Sequence, residues 1–214
     1  MKTTKVFFTV SLGSLLLSSV ACFGQSGDSA SRIYSNATYN TTPAFTKGTN
    51  VINLGIGLGG DYSYFGPGYI QIPDFVVSYE NGTFGNVGPG TISLGGLLAF
   101  TGTSYTYFNE PTGTTYTDRW MYSILGFRSA YHLNVPSCPR FDPYAGLMLA
   151  YYYVGYSHTG SDAPYTYYYS SAYPSYLSPS VFIGARYYLS NTVGLWAELG
   201  YGYSNLAIGV SLKM

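Results

Sequence analysis

Four charged residues, Glu80, Arg128, Arg186 and Glu198, interrupt stretches of alternating apolar residues in a chain of 214 residues. Two carboxylates and two guanidiniums can neutralise one another, and the planar fork of arginine matches a carboxylate with paired hydrogen bonds. Held together, such a set is an ion-pair network that fills and stiffens an interior. Spread along a bore, it is a polar path for ions. The expectation is the network, with Arg186 in contact with Glu198 or Glu80.

Other chemistry is sparse. The chain has 2 histidines, and a hydrolytic site would need one of them beside a nucleophile or an acid. His158 stands in "YSHTGSD", near Ser157, Ser161 and Asp162, and reads as a solvated loop histidine. His132 falls toward the opposite end of the fold from the long loops. No catalytic residue is assigned. No Cys/His spacing suggests a transition-metal site. The glycines alternate within strands instead of forming a phosphate loop, so no metal and no cofactor are expected.

The elements that position the four charges are strands. "NVINLGIGLGG" places Ile52, Leu54, Ile56 and Leu58 on one face and Asn53, Gly55 and Gly57 on the other. Alternation with period two is the signature of a strand with one apolar face. The same pattern recurs along the chain and predicts eight strands, near 50–61, 69–81, 90–103, 116–132, 143–156, 177–189, 193–203 and 204–214. The last two form a hairpin with its tip near Ser204 and Asn205. Glu80, Arg128, Arg186 and Glu198 all fall on the face of small residues. Asp74, Arg119 and Lys213 are expected nearer strand ends, within reach of solvent.

Composition says which face meets what. Charged residues make up 8% of the chain, against roughly 25% in soluble domains. A soluble barrel would have to press its Leu, Ile and Tyr rows inward and show water a face of Gly, Ser and Ala. Turned inside out, the pattern puts apolar side chains toward lipid and small residues in a narrow lumen. Hydrocarbon offers no partner to backbone N–H and C=O groups, so a spanning sheet must close on itself. An all-β, transmembrane, eight-stranded antiparallel up-and-down β-barrel follows, its last strand pairing with its first near Ile52–Leu58. Eight strands leave a bore just wide enough for side chains. Connections near 62–68, 104–115 and 157–176 and the tip at 204 should face outward. Those near 82–89, 133–142 and 190–192 should face inward.

The start of the chain reads as an export signal. Lys2 and Lys5 precede the apolar run "VFFTVSLGSLLLSSVACFG", too short and Ser-rich for a spanning helix. Cleavage after Gly24 gives a signal peptide over 1–24, a polar and flexible leader over 25–49 and a barrel over 50–214. A rival reading makes Cys22 a lipidated first residue, with Ser19 where a lipobox carries Leu. Removing Lys2 and Lys5 leaves seven cations against nine anions, a formal charge of −2. Nucleic acid is therefore not an expected partner. The mature chain keeps Cys138 as a lone thiol in a turn. Tyrosine is abundant, at 26 residues, and an amphipathic ring prefers the headgroup level. Tyr151, Tyr153, Tyr201 and Tyr203 are read as anchors at outer strand ends, and Tyr131, Tyr144 and Tyr187 as anchors at inner ends. The segment "SDAPYTYYYSSAYPSYLSPS" is an adaptable surface in composition. Its Tyr165, Tyr167, Tyr168, Tyr169, Tyr173 and Tyr176 are candidate contacts for an extracellular ligand.

Several stretches carry a resemblance: "VSYENG", "GTISLGG", "GFRSAYH", "FDPYAGLMLAY", "IGARYYLSNTVGLWAELGYG" and "LAIGVSLKM". In this order they resemble the small outer-membrane β-barrel proteins of Bacteroidota, similar in architecture to OmpX and the OmpA membrane domain. The resemblance implies a porin-like Gram-negative cell-envelope protein, monomeric in outer-membrane lipid, inserted by the barrel-assembly machinery. It also implies a last strand that ends in an aromatic residue, where this chain has Met214. A structural or adhesin-like role is expected, with a small channel or transporter as the alternative.

Overall fold

The computed structural model describes residues 42–60, 63, 66–111, 113–160 and 175–214. The export signal, Cys22, most of the leader and Tyr165, Tyr167, Tyr168, Tyr169 and Tyr173 lie outside the described residues. Strands β1 (Asn50–Leu58), β2 (Tyr69–Val87), β3 (Gly90–Asn109), β4 (Thr114–Leu133), β5 (Phe141–Thr159), β6 (Tyr176–Tyr188), β7 (Val193–Tyr201) and β8 (Leu206–Lys213) pair in sequence order. Every pairing is antiparallel, and β8 returns to β1, so the sheet is a closed barrel. The seam runs from Val51 opposite Lys213 to Leu58 opposite Leu206.

Burial follows the alternation. Leu54, Ile56, Leu98, Phe100, Leu125, Phe127, Leu147, Leu149, Ile183 and Leu199 are exposed on the outer surface. Their neighbours Asn53, Ala99, Ile124, Arg128, Met148, Phe182 and Glu198 are buried within the bore. The bore is not lined by small residues alone. Tyr122, Tyr152, Phe182 and Trp196 are buried there too, and the glycines leave the volume they fill. A Cβ on Gly146 would lie 2.4 Å from the Phe182 ring, and one on Gly184 would lie 2.5 Å from the Tyr144 ring.

The strands differ from the expected bounds mainly by being longer. β3 and β4 pair without interruption from Gly90 opposite Leu133 to Asn109 opposite Thr114. The connection expected over 104–115 is therefore mostly sheet, and its turn is 110–113. The physical reason is that ladder hydrogen bonds do not need lipid. "TSYTYFN" and "TTYTDRW" are rich in Thr and aromatic residues that favour strands, so pairing continues past a bilayer's width. β2 likewise runs on to Val87, with register shifts after Gly82 and Phe84, and the connection expected over 82–89 shrinks to 88–89. Its turn needs positive φ, which Asn86 and Gly88 supply at 57° and 58°. One end of the barrel, the terminal end, carries the start of β1, the end of β8 and the turns at 88–89, 134–140 and 189–192. The other, the loop end, carries the connections at 59–68, 110–113, 160–175 and 202–205.

Several local expectations are corrected. Residues 42–49 belong to the segment read as flexible leader, yet Ala44 and Phe45 are buried at the terminal end. Tyr144 and Tyr203 are not surface anchors but are buried in the bore. Tyr144 falls on the inner side of the β5 alternation, whereas Tyr203 is turned inward by the connection at 202–205, and both hydroxyls donate to an acceptor there. Asp74 is buried, because the turn at 202–205 folds over that part of the bore. Cys138 is buried and is not a free thiol.

Candidate functional site: a charged network in the bore

The four charges meet in the terminal half of the barrel. Glu80 comes from β2, Arg128 from β4, Arg186 from β6 and Glu198 from β7. Each is at most 3% exposed. Arg186 donates through Nη2 to Glu80 Oε2 at 2.6 Å. Arg128 donates through Nη2 to Glu198 Oε2 at 2.7 Å. The Arg128 Nε lies 2.9 Å from Glu80 Oε1, as an ion pair without an aligned hydrogen bond. Glu80 thus joins the two arginines, and Glu198 caps the second.

Sequence reasoning missed the groups that complete the network. Arg186 also donates through Nη1 to Asp142 Oδ2 at 2.8 Å and through Nε to Asn53 Oδ1 at 3.1 Å. Asn53 accepts from Ser211 at 2.6 Å and donates to Ser78 at 2.9 Å. Tyr144 and Tyr203 donate to Glu198 at 3.1 and 2.9 Å. His132 joins Asp142 through Nδ1 at 2.8 Å. Its Nε2 lies 3.0 Å from Ser93 Oγ and 3.4 Å from Glu80 Oε2. Both ring nitrogens face oxygen, so an imidazolium would donate on both sides. It would also bring three acids, two arginines and itself to neutrality. Aromatic faces supply the remaining walls: Arg128 lies 4.0 Å from the Phe182 centroid and Arg186 lies 4.5 Å from that of Tyr144. Inner-face parity was the available signal for Asp142 and Tyr144, but Asp142 falls just outside the strand predicted from 143.

Ser93, His132 and Asp142 have the spacing of a nucleophile, base and orienting acid. Their surroundings do not fit that chemistry. Ser93 is 1% exposed, and the ring of Phe45 stacks on the imidazole at 3.8 Å with 14° between planes. Glu80 competes for the nitrogen that would activate the serine. The serine hydroxyl is already taken up by His132 and the Ala130 carbonyl, with no room beside it for a substrate carbonyl. Among the described residues, no group of His, Cys, Asp and Glu could hold a metal ion.

On the loop-end side of the network Val76, Leu97, Ala99, Ile124, Met148, Ala150 and Tyr152 are buried together, with Asp74, Thr101 and Thr103 buried beyond them. Farther out, Tyr69, Tyr105, Tyr107, Tyr116 and His158 stack in sequence across β2 to β5, with centroids 4.5, 5.6, 5.4 and 5.5 Å apart. His158 is therefore not a solvated loop residue. It sits in β5, and its Nδ1 lies 2.7 Å from Asp118 Oδ1. Tyr176 opens β6 and stacks on Tyr152 at 4.7 Å, instead of standing on a loop tip.

No family model matches the chain, and no curated protein does. Among solved structures, the chain is similar to OprG of Pseudomonas aeruginosa, at 12% identity over 79% of this chain and 97% of that one, with a TM-score of 0.44. It is similar to the N-terminal β-barrel domain of Pseudomonas aeruginosa OprF, at 12% identity, 79% and 100% coverage and a TM-score of 0.43. It is also similar to the attachment invasion locus protein Ail of Yersinia pestis, solved with the heparin analogue sucrose octasulfate, at 12% identity, 78% and 96% coverage and a TM-score of 0.38.

Proposed function

We propose that the protein is a non-enzymatic outer-membrane barrel with a packed lumen, serving a structural or surface-interaction role. The observation that carries this reading is the inside-out distribution of polarity. Leu125, Phe127 and Leu147 are 61%, 63% and 66% exposed, while Arg128 and Arg186 are 1% and 0% exposed. Water would reverse that arrangement, and hydrocarbon favours it. The export signal read from residues 1–24 gives a route to the outer membrane, and insertion by the barrel-assembly machinery follows from that address. The partner surface is the loop end, with the extended ends of β2–β5 and the tyrosine-rich segment that joins β5 to β6. The occupant is an extracellular ligand, and the barrel acts as a monomer.

A second reading, a narrow channel or transporter, draws on the charged interior. The apolar layer above the network opposes it, because an ion would have to shed its water there. Reconstitution in planar bilayers separates the two. The packed lumen gives no stable conductance steps, and large, regular steps would replace the first reading with the second. Membrane residence is tested by fractionation, by heat-modifiable migration on gels and by protease treatment of intact cells. Cleavage confined to the 160–175 connection is expected. Recovery as a soluble periplasmic protein would overturn the proposal.

A further inference from the structure

The eight residues before β1 cross the mouth of the bore at its terminal end. Thr46 and Thr49 close a turn, with Thr49 N donating to Thr46 O at 3.1 Å. Gly48 N donates to Gly82 O at 2.7 Å, and Gly82 N donates to Thr49 O at 2.8 Å. From this turn the Phe45 ring enters the bore, is 1% exposed and stacks on His132. The Arg186 guanidinium lies 5.8 Å from the same ring. Lys213 Nζ donates to Ala44 O at 3.4 Å. The segment therefore touches β2, β4, β6 and β8, alternate strands around the whole circumference.

β2 is notched to receive it. A Cβ on Gly82 would lie 2.2 Å from Thr46 O and 3.2 Å from the Phe45 ring, and one on Gly85 would lie 2.8 Å from Lys47 Cβ. Both glycines fall where the β2–β3 register shifts. The barrel ladder does not depend on the segment, because the β1 pairings run from Asn50 onward and the seam closes without residues 42–49.

We propose that residues 44–49 are a detachable stopper, with Phe45 as its knob, that seals the charged network from the terminal side and leaves by local opening while the barrel stays closed. Few backbone bonds and one aromatic ring fasten it, so it belongs to the low-stability end of a structure whose strands open only globally. When it leaves, water enters from the terminal side and reaches Glu80, His132 and Asp142. The apolar layer above still blocks the bore, so the state reached is a flooded vestibule and not a pore. The inference rests on the interior geometry and is independent of the membrane reading.

The test is carbethoxylation of histidine by diethyl pyrocarbonate on the full mature chain in detergent micelles, with His132 and His158 followed on separate peptides. Phe45→Ala is expected to raise the His132 rate by ~10–100-fold, the loss of most of one ring's burial, and to leave His158 unchanged. Gly82→Ala, which displaces the stopper without altering Phe45, is expected to act in the same direction. Both variants should keep the heat-modifiable band of the folded barrel. An unchanged His132 rate in variants that keep the band would overturn the proposal. So would loss of the band in both, since the segment would then be part of the barrel's global fold. Failure of the membrane reading would show separately, in fractionation and protease treatment.

Discussion

Arg186 is held at three donor nitrogens, by Asn53, Asp142 and Glu80, and its plane lies over Tyr144. A buried guanidinium repays its desolvation only with such geometry, and removing one partner of a buried pair leaves the other charges stranded. Arg186→Met keeps much of the volume and removes the charge, so Glu80 loses one cation and Asp142 loses its guanidinium. The expected cost is about 3–5 kcal/mol, read as a lower urea midpoint in micelles by tryptophan fluorescence. A loss below about 1 kcal/mol would mean that water already reaches these carboxylates. Glu198→Gln leaves a single acceptor oxygen, which can serve Tyr144 or Tyr203 but not both, and takes the carboxylate from Arg128, so a cost in the same range is expected. At this scale the alternation told which residues point into the bore. It did not tell that Tyr144 and Tyr203 serve Glu198, or that His132 and Asp142 extend the network: Tyr144 meets Glu198 across strands distant in sequence, and the nearer pairs depend on how the turns at 202–205 and 134–140 fold, which parity does not encode.

Strand parity is a property of each element, and it was legible in most of them, including the change from odd to even positions between β7 and β8, and less cleanly along β4. Element ends were less so. β3 and β4 run well past the span needed to cross a bilayer, because nothing in the backbone stops a ladder between two Thr- and Tyr-rich strands. Glycine use also belongs to this scale. A Cβ on Gly209 would lie 2.0 Å from the Leu54 carbonyl oxygen, whereas one on Gly96 meets only the Gly126 oxygen at 3.5 Å. Gly209→Ala should therefore push β8 away from β1 and weaken the seam, seen as loss of most of the heat-modifiable band. Gly96→Ala should leave the band intact. Equal behaviour of the two variants would show that backbone approach at the seam is not the constraint.

For the molecule as a whole, the decisive question is what surrounds the barrel. Leu125 is 61% exposed and pairs with Leu98 and Tyr151, both also exposed. An arginine at such a site costs ~2–4 kcal/mol if it faces the middle of a bilayer. The same change on a barrel in water would be close to neutral. Leu125→Arg, unfolded in lipid vesicles beside the parent chain, is expected to lose stability in that range. No measurable loss would remove the lipid from this face and, with it, the reading of the fold as a membrane protein.

Several conclusions needed nothing beyond the sequence. Successive side chains of a strand point to opposite faces by covalent geometry alone, so alternation assigns every residue a side. Low charge then says that the apolar side is the outer one, and the number of alternating segments gives eight strands and a closed sheet. Tertiary structure decided which side chains share the bore. Glu80 and Arg186 are separated by more than a hundred residues, and their contact is set by the curvature and stagger of the closed barrel, which no local period encodes. It also decided the place of Phe45. Phe45 is one of three aromatic residues in a polar leader with no period to announce it, and its role depends on a mouth that exists only after β8 has closed onto β1.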